Sequence, residues 1–385
     1  MAPQLQSERI KDILPSDIRR LFDLAQGIQG VISLGIGEPD FVTPAHIREA
    51  AKKALDSGQT HYAPSRGIPA LGQEVAKRYL RDYKVAVDPR KHFFDFNGGI
   101  QALFYVTFAT INPGDEVLVP DPGFLCYPNL VLSAGGKLVN FPCPEERDFK
   151  PDFDALEAAI TPRTKAALLN FPCNPTGAHL YPDEMKRLVK ILTQHDILII
   201  SDEVYDNIIY EDYHPVSALQ YGTIDQMVIV NSFSKTYAMT GWRIGYTLGP
   251  EALTNAIEKV YQNSQTCINT IGQYAAVAAL TGPQDSIGKM VKSFDERRKV
   301  IVDGLNDLKG ISCFMPKGAF YAFPNISGTK FKSSRKFSEE VIKQAKVVCV
   351  PGDTFGRRGE GHVRMSYATA TEQIKEALER IKAIL

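Results

Sequence analysis

Asp183-Glu-Met-Lys-Arg-Leu-Val-Lys-Ile-Leu-Thr-Gln-His195 runs directly into Asp196-Ile-Leu-Ile-Ile-Ser-Asp202, and this pair of patterns sets the architecture. In the first half, apolar residues recur at Met185, Leu188, Val189 and Leu192, the spacing of one helix face. The second half contains a near-continuous apolar run, 197–201, of the kind a strand shows when both faces of its sheet are covered. Similar runs lie at 116–119, 137–141, 166–170, 227–231 and 243–248, with helical patterns between several of them. The repeated strand, helix, strand order predicts an α/β domain with a mostly parallel sheet.

Downstream of about Gly282 the texture changes. A long charged helix is expected over 288–308, then short strand-like pieces at 318–323, 347–350 and 362–367, and a final helix over 370–385. These read as a smaller α+β domain. Near the amino terminus one helix is expected over 15–26 and an extended run over 31–34, both packing on that smaller domain. The expected division is a large domain at 45–285 and a discontinuous small domain at 1–44 and 286–385. A length of 385 residues suits two domains.

Forty-four basic residues balance forty-four acidic ones, so no basic face for nucleic acid or an anionic membrane is expected. Six cysteines, none in a C-x-x-C pair, read as reduced thiols. The first residues lack an apolar signal core, and the apolar runs are too short to span a bilayer, so the expected location is the cytoplasm. Seven scattered histidines without H-x₃-H spacing predict no metal site.

Polar residues follow the strand candidates directly, where doubly wound sheets gather their sites. In Asn231-Ser-Phe-Ser-Lys-Thr-Tyr-Ala-Met-Thr-Gly-Trp-Arg243, a lone Lys235 would read as a solvated charge. Ser232, Ser234 and Arg243 change that reading, because hydroxyls and a guanidinium suit a phosphate. An amine beside a phosphate site is what a Schiff-base cofactor requires. Asp202 reads either as a helix N-cap or as a carboxylate that keeps a ring nitrogen protonated. Tyr205 would lie near the edge of the same helix and donate to a phenolate oxygen. Asn174, between Cys173 and Pro175 and itself restricted by the proline that follows, presents a fixed amide. Asn97-Gly-Gly-Ile100 reads as a glycine turn feeding a helix whose amino end attracts anions. Phe124 follows a strand and can stack on an aromatic ring. Arg364 alternates with apolar residues on an expected strand and needs a partner such as a substrate carboxylate. Gly35-Ile-Gly-Glu-Pro-Asp40 lacks the third glycine of a dinucleotide fingerprint.

Together, Ser-x-Ser-Lys with arginine eight residues on, Ser-Asp-Glu-x-Tyr, Asn-Pro-Thr-Gly and Val-Arg-x-Ser-Tyr resemble the class I/II aminotransferases of fold type I, subgroup Iγ. The sequence looks most like archaeal-type enzymes acting on aromatic amino acids or aspartate. The resemblance implies pyridoxal 5′-phosphate held by Lys235 as a Schiff base, and Asp202 paired with the ring nitrogen. It places Tyr205 and Asn174 at the 3′-oxygen and Phe124 on the ring face. Gly99, Ile100, Ser232, Ser234 and Arg243 would hold the phosphate. Tyr62 matches a tyrosine lent to the neighbouring subunit, which implies a homodimer. Arg364, Asn174 and the Gly37 backbone would bind the substrate α-carboxylate.

The implied reaction is ping-pong transamination from an L-amino acid, aromatic or hydrophobic or else aspartate, to a 2-oxo acid, with 2-oxoglutarate the expected acceptor. Lys235 would serve as the base, with its pKa lowered by desolvation and nearby arginines. Some aspartate-active relatives carry lysine where Ile100 stands, so Ile100 favours aromatic or hydrophobic substrates, while Arg66 and the N-terminal helix remain possible sources of a cation. Competing readings are a β-lyase of the same fold and a non-catalytic aminotransferase-like regulatory or binding protein.

Overall fold

The computed structural model describes residues 7, 10–13, 15, 20, 23–211 and 214–385. In chain order its strands are β1 Ile32–Ser33, β2 Phe93–Phe96, β3 Glu116–Asp121, β4 Lys137–Pro142, β5 Thr164–Asn170, β6 Leu198–Asp202, β7 Met227–Ser232, β8 Gly245–Leu248, β9 Tyr321–Ala322, β10 Val347–Val348, β11 Val350–Pro351 and β12 Val363–Ser366.

Seven strands form the central sheet in the order β2-β8-β7-β6-β5-β3-β4. The strands from β4 to β7 are mutually parallel, whereas β8 runs antiparallel to β7, and β2 antiparallel to β8. The fold is therefore the expected α/β arrangement around a mostly parallel sheet. Strand β2 was not among the expected strands: four residues, three of them aromatic around Asp95, are too few to show a period. The strand expected from Arg243 begins at Gly245, because Arg243 takes a left-handed conformation (φ 57°) that ends a short turn.

The deciding segment folds as its pattern dictates. Helix Pro182–Gln194 starts with proline in its first turn, where no intrahelical N–H bond is lost. Glu184 caps it by accepting from the Tyr181 N–H at 2.7 Å. Its apolar face buries Met185, Leu188, Val189, Ile191 and Leu192 against the sheet. Asp196 in the left-handed region (φ 54°) then turns the chain into β6. The strand order reverses between β3 and β5, so the carboxyl ends of β3, β5, β6 and β7 border one crevice.

Two hydrophobic clusters hold the chain together. One fills both faces of the sheet, with Leu103, Val117, Leu168, Ile200 and Val228 among its members. The other joins Phe294 and Ile301 from helix Asp285–Asn306 to Phe320, Val347, Val363 and Ile374. Phe294 is fully buried there, and truncation to alanine would cost about 3–5 kcal/mol. Tyr205, Ile208 and Tyr210, just beyond β6, belong to this second cluster, so the segment after the sheet's central strand is packed by the other core.

Ile32 and Leu34 lie in the second cluster and β1 pairs in parallel with β10, while Ala25, Ile28 and Val31 rest against the first. The helix expected over 15–26 falls largely outside the described residues. The other carboxyl-terminal expectations correspond to helix Asp285–Asn306, strands β9 to β12 and helix Thr371–Lys382. Among the described residues no helix is long and apolar enough to cross a membrane.

Candidate active site

A cavity of about 340 Å³ opens where the sheet's carboxyl edge meets the second core. Every residue assigned to the cofactor or the substrate carboxylate lines it except Tyr62, and Arg66 also lies outside it.

At one end sits the amino terminus of helix Gly99–Thr110. Its N-cap, Gly98, has φ 84° and offers no side chain to the free N–H groups. A Cβ on Gly98 would collide with the Arg243 guanidinium, so only glycine lets the two approach. Arg243 donates to the carbonyls of Thr240 (3.0 Å) and Asn97 (3.2 Å), and among the described residues no carboxylate pairs with it. The Ser232 and Ser234 hydroxyls lie 2.8 Å apart beside it. Uncapped N–H groups, two hydroxyls and a guanidinium without a counter-ion form a receptor for a tetrahedral anion.

In the middle is Asp202, the buried last residue of β6. It accepts from the Tyr127 hydroxyl at 3.0 Å and from the Val204 N–H at 3.4 Å. Burial raises its pKa to about 6, against the opposing pull of the Tyr127 bond, the Val204 N–H and the Lys235 charge. Asn170 ties the neighbouring loop in place, donating to the Asp202 carbonyl (2.9 Å) and accepting from the Asn174 N–H (2.8 Å). Phe124 is half-buried at the cavity wall, edge-on to Tyr127 with centroids 5.4 Å apart.

The helix expected after Asp202 is absent. Residues Glu203 to Asp206 form a turn, closed by the Asp206 N–H donating to the Glu203 carbonyl at 3.0 Å. Asp206 explains this: its buried carboxylate accepts from Arg78, from Tyr83 (2.8 Å) and from Asn231 (2.8 Å), which draws the chain back under the sheet. The turn presents Tyr205, whose hydroxyl lies 2.8 Å from that of Tyr321.

Lys235 sits in the short helix Phe233–Thr236, its ammonium donating to the Gly37 carbonyl and flanked by the Tyr205 and Phe320 rings. Burial, then the charges of Arg364 and Arg243, lower its pKa to about 8, with Glu38 and Asp202 opposing.

Opposite stands Arg364 on β12, 2 % exposed. It donates to Asn174 Oδ1 (2.9 Å) and the Gly35 carbonyl (2.7 Å), while its Nε has no partner among the described residues. The rings of Tyr321 and Phe355 lie 4.6 and 5.0 Å from its guanidinium carbon. No carboxylate among the described residues neutralises it. A buried cation facing a cavity without a counter-ion is matched to an anionic ligand.

The remaining wall is apolar at Ile36, Ile100, Leu103, Leu125 and Val204 and polar at Glu38 and Thr240, whose hydroxyl donates to the Glu38 carboxylate at 2.9 Å. Among the described residues no basic side chain beyond Lys235, Arg243 and Arg364 lines the cavity. Arg66, a possible extra cation on sequence grounds, is committed to Glu258 at 2.6 Å and to Asn255. Tyr62 is 87 % exposed and lies outside this cavity, beside Gln59 and Thr270.

Sequence reasoning missed Tyr127, Asn170, Gly35 and Tyr321. Tyr127 carried a usable signal, three residues after Phe124. Tyr321 carried none beyond a strand pattern, because its partners are 116 and 43 positions away at Tyr205 and Arg364.

The family description Aminotransferase class I and II matches residues 29–381. The chain is 43 % identical to an aspartate aminotransferase of Pyrococcus abyssi and 42 % identical to aromatic-amino-acid aminotransferase 2 of Thermococcus litoralis, each over 98 % of both chains. Among solved structures, it is similar to an aromatic aminotransferase of Pyrococcus horikoshii (TM-score 0.90, 41 % identity, covering 96 % of this chain and 98 % of that one). It is also similar to the aspartate aminotransferase of Thermus thermophilus with maleate (TM-score 0.94, 36 % identity, all of both chains). Relatives of nearly equal identity thus carry different substrate names.

Proposed function

The chain belongs to the class I and II aminotransferases, whose cofactor is pyridoxal 5′-phosphate, and on that premise we propose that it moves the amino group of an aromatic or hydrophobic L-amino acid, in preference to aspartate, onto 2-oxoglutarate by ping-pong chemistry through Lys235. The observation that carries this reading is the meeting, in one cavity, of a buried lysine of lowered pKa and a buried arginine without a counter-ion.

The residues present fit the cofactor. The uncapped helix end, with Gly99 and Ile100 N–H groups, Ser232, Ser234 and Arg243, matches its phosphate. Asp202, raised by burial when it faces no cation other than Lys235, would be held ionised by a protonated ring nitrogen. Tyr205 and Asn174 take the 3′-oxygen, and Phe124 covers a ring face. When bound, the cofactor supplies a ring that accepts the electron pair left behind by a departing Cα proton.

Arg364 receives the substrate α-carboxylate through its fork, with Asn174 and the Gly37 backbone beside it. This fixes the Cα–H bond relative to Lys235. With cofactor and substrate bound, the Lys235 amine would take the Cα proton and deliver it to C4′. A pKa of about 8 leaves roughly a tenth of the amine neutral at pH 7, against a few parts in ten thousand for an ordinary lysine. Asp202 stabilises the charge that develops in the ring, a contribution of roughly 3–4 kcal/mol by analogy with oxyanion donors.

The apolar stretch of Ile36, Ile100, Leu103 and Leu125, and the lack of a further lining cation among the described residues, support an apolar substrate side chain. The longer chain of 2-oxoglutarate would carry its distal carboxylate towards the open mouth, where Ile100 is 49 % exposed. Ile100, Phe104 and Phe108, four residues apart on one helix, leave an exposed apolar stripe. That stripe and the exposed Tyr62 support a homodimer in which Tyr62 reaches the neighbouring phosphate. All six cysteines are free, which suits the reducing cytoplasm we assign to the protein.

Borohydride reduction followed by peptide mapping tests the core of this reading: the cofactor should be found on Lys235, and attachment at any other lysine overturns it. A panel of phenylalanine, tyrosine, alanine, kynurenine and aspartate with 2-oxoglutarate tests the substrate. Faster turnover of aspartate than of the aromatic donors would overturn the preference.

A further inference from the structure

Tyr321 joins two parts of the site that come from different cores. It sits on β9, buried, beside β12, with Tyr321 and Ala322 paired to Ser366 and Met365. Its ring lies under the Arg364 guanidinium at 4.6 Å. Its hydroxyl lies 2.8 Å from the Tyr205 hydroxyl, and either oxygen can be the donor. The same hydroxyl occupies the space that a Cβ on residue 37 would need, so it also abuts the Gly37 backbone, whose carbonyl holds Lys235.

We infer that Tyr321 is a positioning residue with two separable tasks: its hydroxyl sets the direction of the Tyr205 proton, and its ring holds the Arg364 fork. The hydroxyl task rests on the proposed role of Tyr205 at the cofactor's 3′-oxygen. If Tyr205 is to donate to an anionic oxygen, its own oxygen must accept from Tyr321. Two hydroxyls in series polarise each other, so the outer donor is strengthened. Without a donor to its oxygen the Tyr205 hydroxyl would be free to rotate, whereas one accepting from Tyr321 is held with its proton turned away from Tyr321. The ring task is independent of the hydroxyl. A buried guanidinium over an aromatic face gains electrostatically while its edge N–H groups stay free to bond in the plane. Asn174 and the Gly35 carbonyl take two of those groups, and the unpartnered Nε remains for the ligand.

Three holoenzymes separate the tasks. Tyr205→Phe removes the direct bond, Tyr321→Phe removes the relay but keeps the ring, and Tyr321→Leu removes both relay and ring. Two readouts are taken: the pH at which the cofactor's visible band titrates, and the dissociation constant of 3-phenylpropionate, a carboxylate with no amine. A hydrogen bond to a charged oxygen corresponds to about one to two pH units, so Tyr205→Phe should raise the midpoint by that amount. Tyr321→Phe should raise it by about a few tenths of a unit, the cooperative share of that bond. Binding of 3-phenylpropionate should stay within about twofold in Tyr321→Phe and weaken by roughly five- to thirtyfold in Tyr321→Leu. A shift in Tyr205→Phe with a wild-type midpoint in Tyr321→Phe overturns the hydroxyl task and leaves the role of Tyr205 standing. No shift in Tyr205→Phe overturns the role of Tyr205 at the cofactor, and the hydroxyl task falls with it. Unweakened 3-phenylpropionate in Tyr321→Leu overturns the ring task. Tyr321→Phe changes a single atom, so its two readouts stand even if the leucine variant does not fold.

Discussion

Arg364→Met keeps a similar side-chain volume and removes the charge. In the wild-type chain the guanidinium is 2 % exposed, with two neutral acceptors, an unpartnered Nε and no carboxylate among the described residues. The orphaned donor alone costs about 1–3 kcal/mol, and burying the charge adds to that. Methionine removes both costs but strands the Asn174 Oδ1 and Gly35 carbonyl acceptors, at about 1–3 kcal/mol each. The opposing contributions nearly cancel, so the ligand-free protein should keep its stability to within about 2 kcal/mol. Function should not be spared. Two charge-assisted bonds to a carboxylate contribute roughly 3–6 kcal/mol, so kcat/KM for phenylalanine should fall about a hundred- to ten-thousandfold. A third readout has its own sign: after burial, the Arg364 charge does most to lower Lys235, so its removal should raise the lysine pKa. Steady-state kinetics, denaturant unfolding of the cofactor-free protein and a pH titration of lysine reactivity measure the three. A fall in kcat/KM of less than about tenfold would refute the carboxylate assignment, and a stability loss above about 4 kcal/mol would refute the picture of an undercompensated cation.

In the cofactor-free protein, modification of Lys235 by an amine-directed reagent should reach half its maximal rate near a pH of about 8, not near the ordinary lysine value of 10.5; a midpoint at the ordinary value would show that the cavity does not desolvate the amine. Asp95 on β2 is buried with neither carboxyl oxygen partnered among the described residues, and burial raises its pKa well above 3.8. Because the folded value exceeds the unfolded one, its contribution is fully present below the unfolded value and is lost as pH rises through the folded value. Asp95→Asn should therefore flatten the decline of stability with rising pH and unfold later at neutral pH; a slope identical to wild type in denaturant titrations at several pH values would sink this account. Ile100→Lys places a cation at the cavity mouth and should raise the kcat/KM ratio of aspartate over phenylalanine by roughly two- to fivefold, since an exposed ion pair is worth up to about 1 kcal/mol. An unchanged ratio would show that the substrate side chain does not pass Ile100.

Much of the site was legible because its chemistry is carried by short segments. Ser232, Ser234, Lys235 and Arg243 fall within one strand-to-turn stretch, and the restriction on Asn174 comes from its neighbours in sequence. The central sheet was legible for a similar reason, since strands covered on both faces announce themselves as apolar runs. Strand β2 escaped because its edge pairing with β8 joins residues about 150 positions apart. The turn after Asp202 escaped because the Asp206 carboxylate is satisfied by Arg78 and Asn231, and a helical pattern says nothing about such partners.

The sequence by itself determined which residue types could handle a phosphate, a ring nitrogen and a carboxylate, because those capacities belong to the side chains and their near neighbours. Only the tertiary structure decided how those groups are tuned. Burial lowers Lys235 and raises Asp202, and the meeting of the two cores sets Tyr321 between Tyr205 and Arg364. Desolvation and through-space charge depend on what surrounds a group in three dimensions, and that is fixed by contacts between residues far apart in the chain.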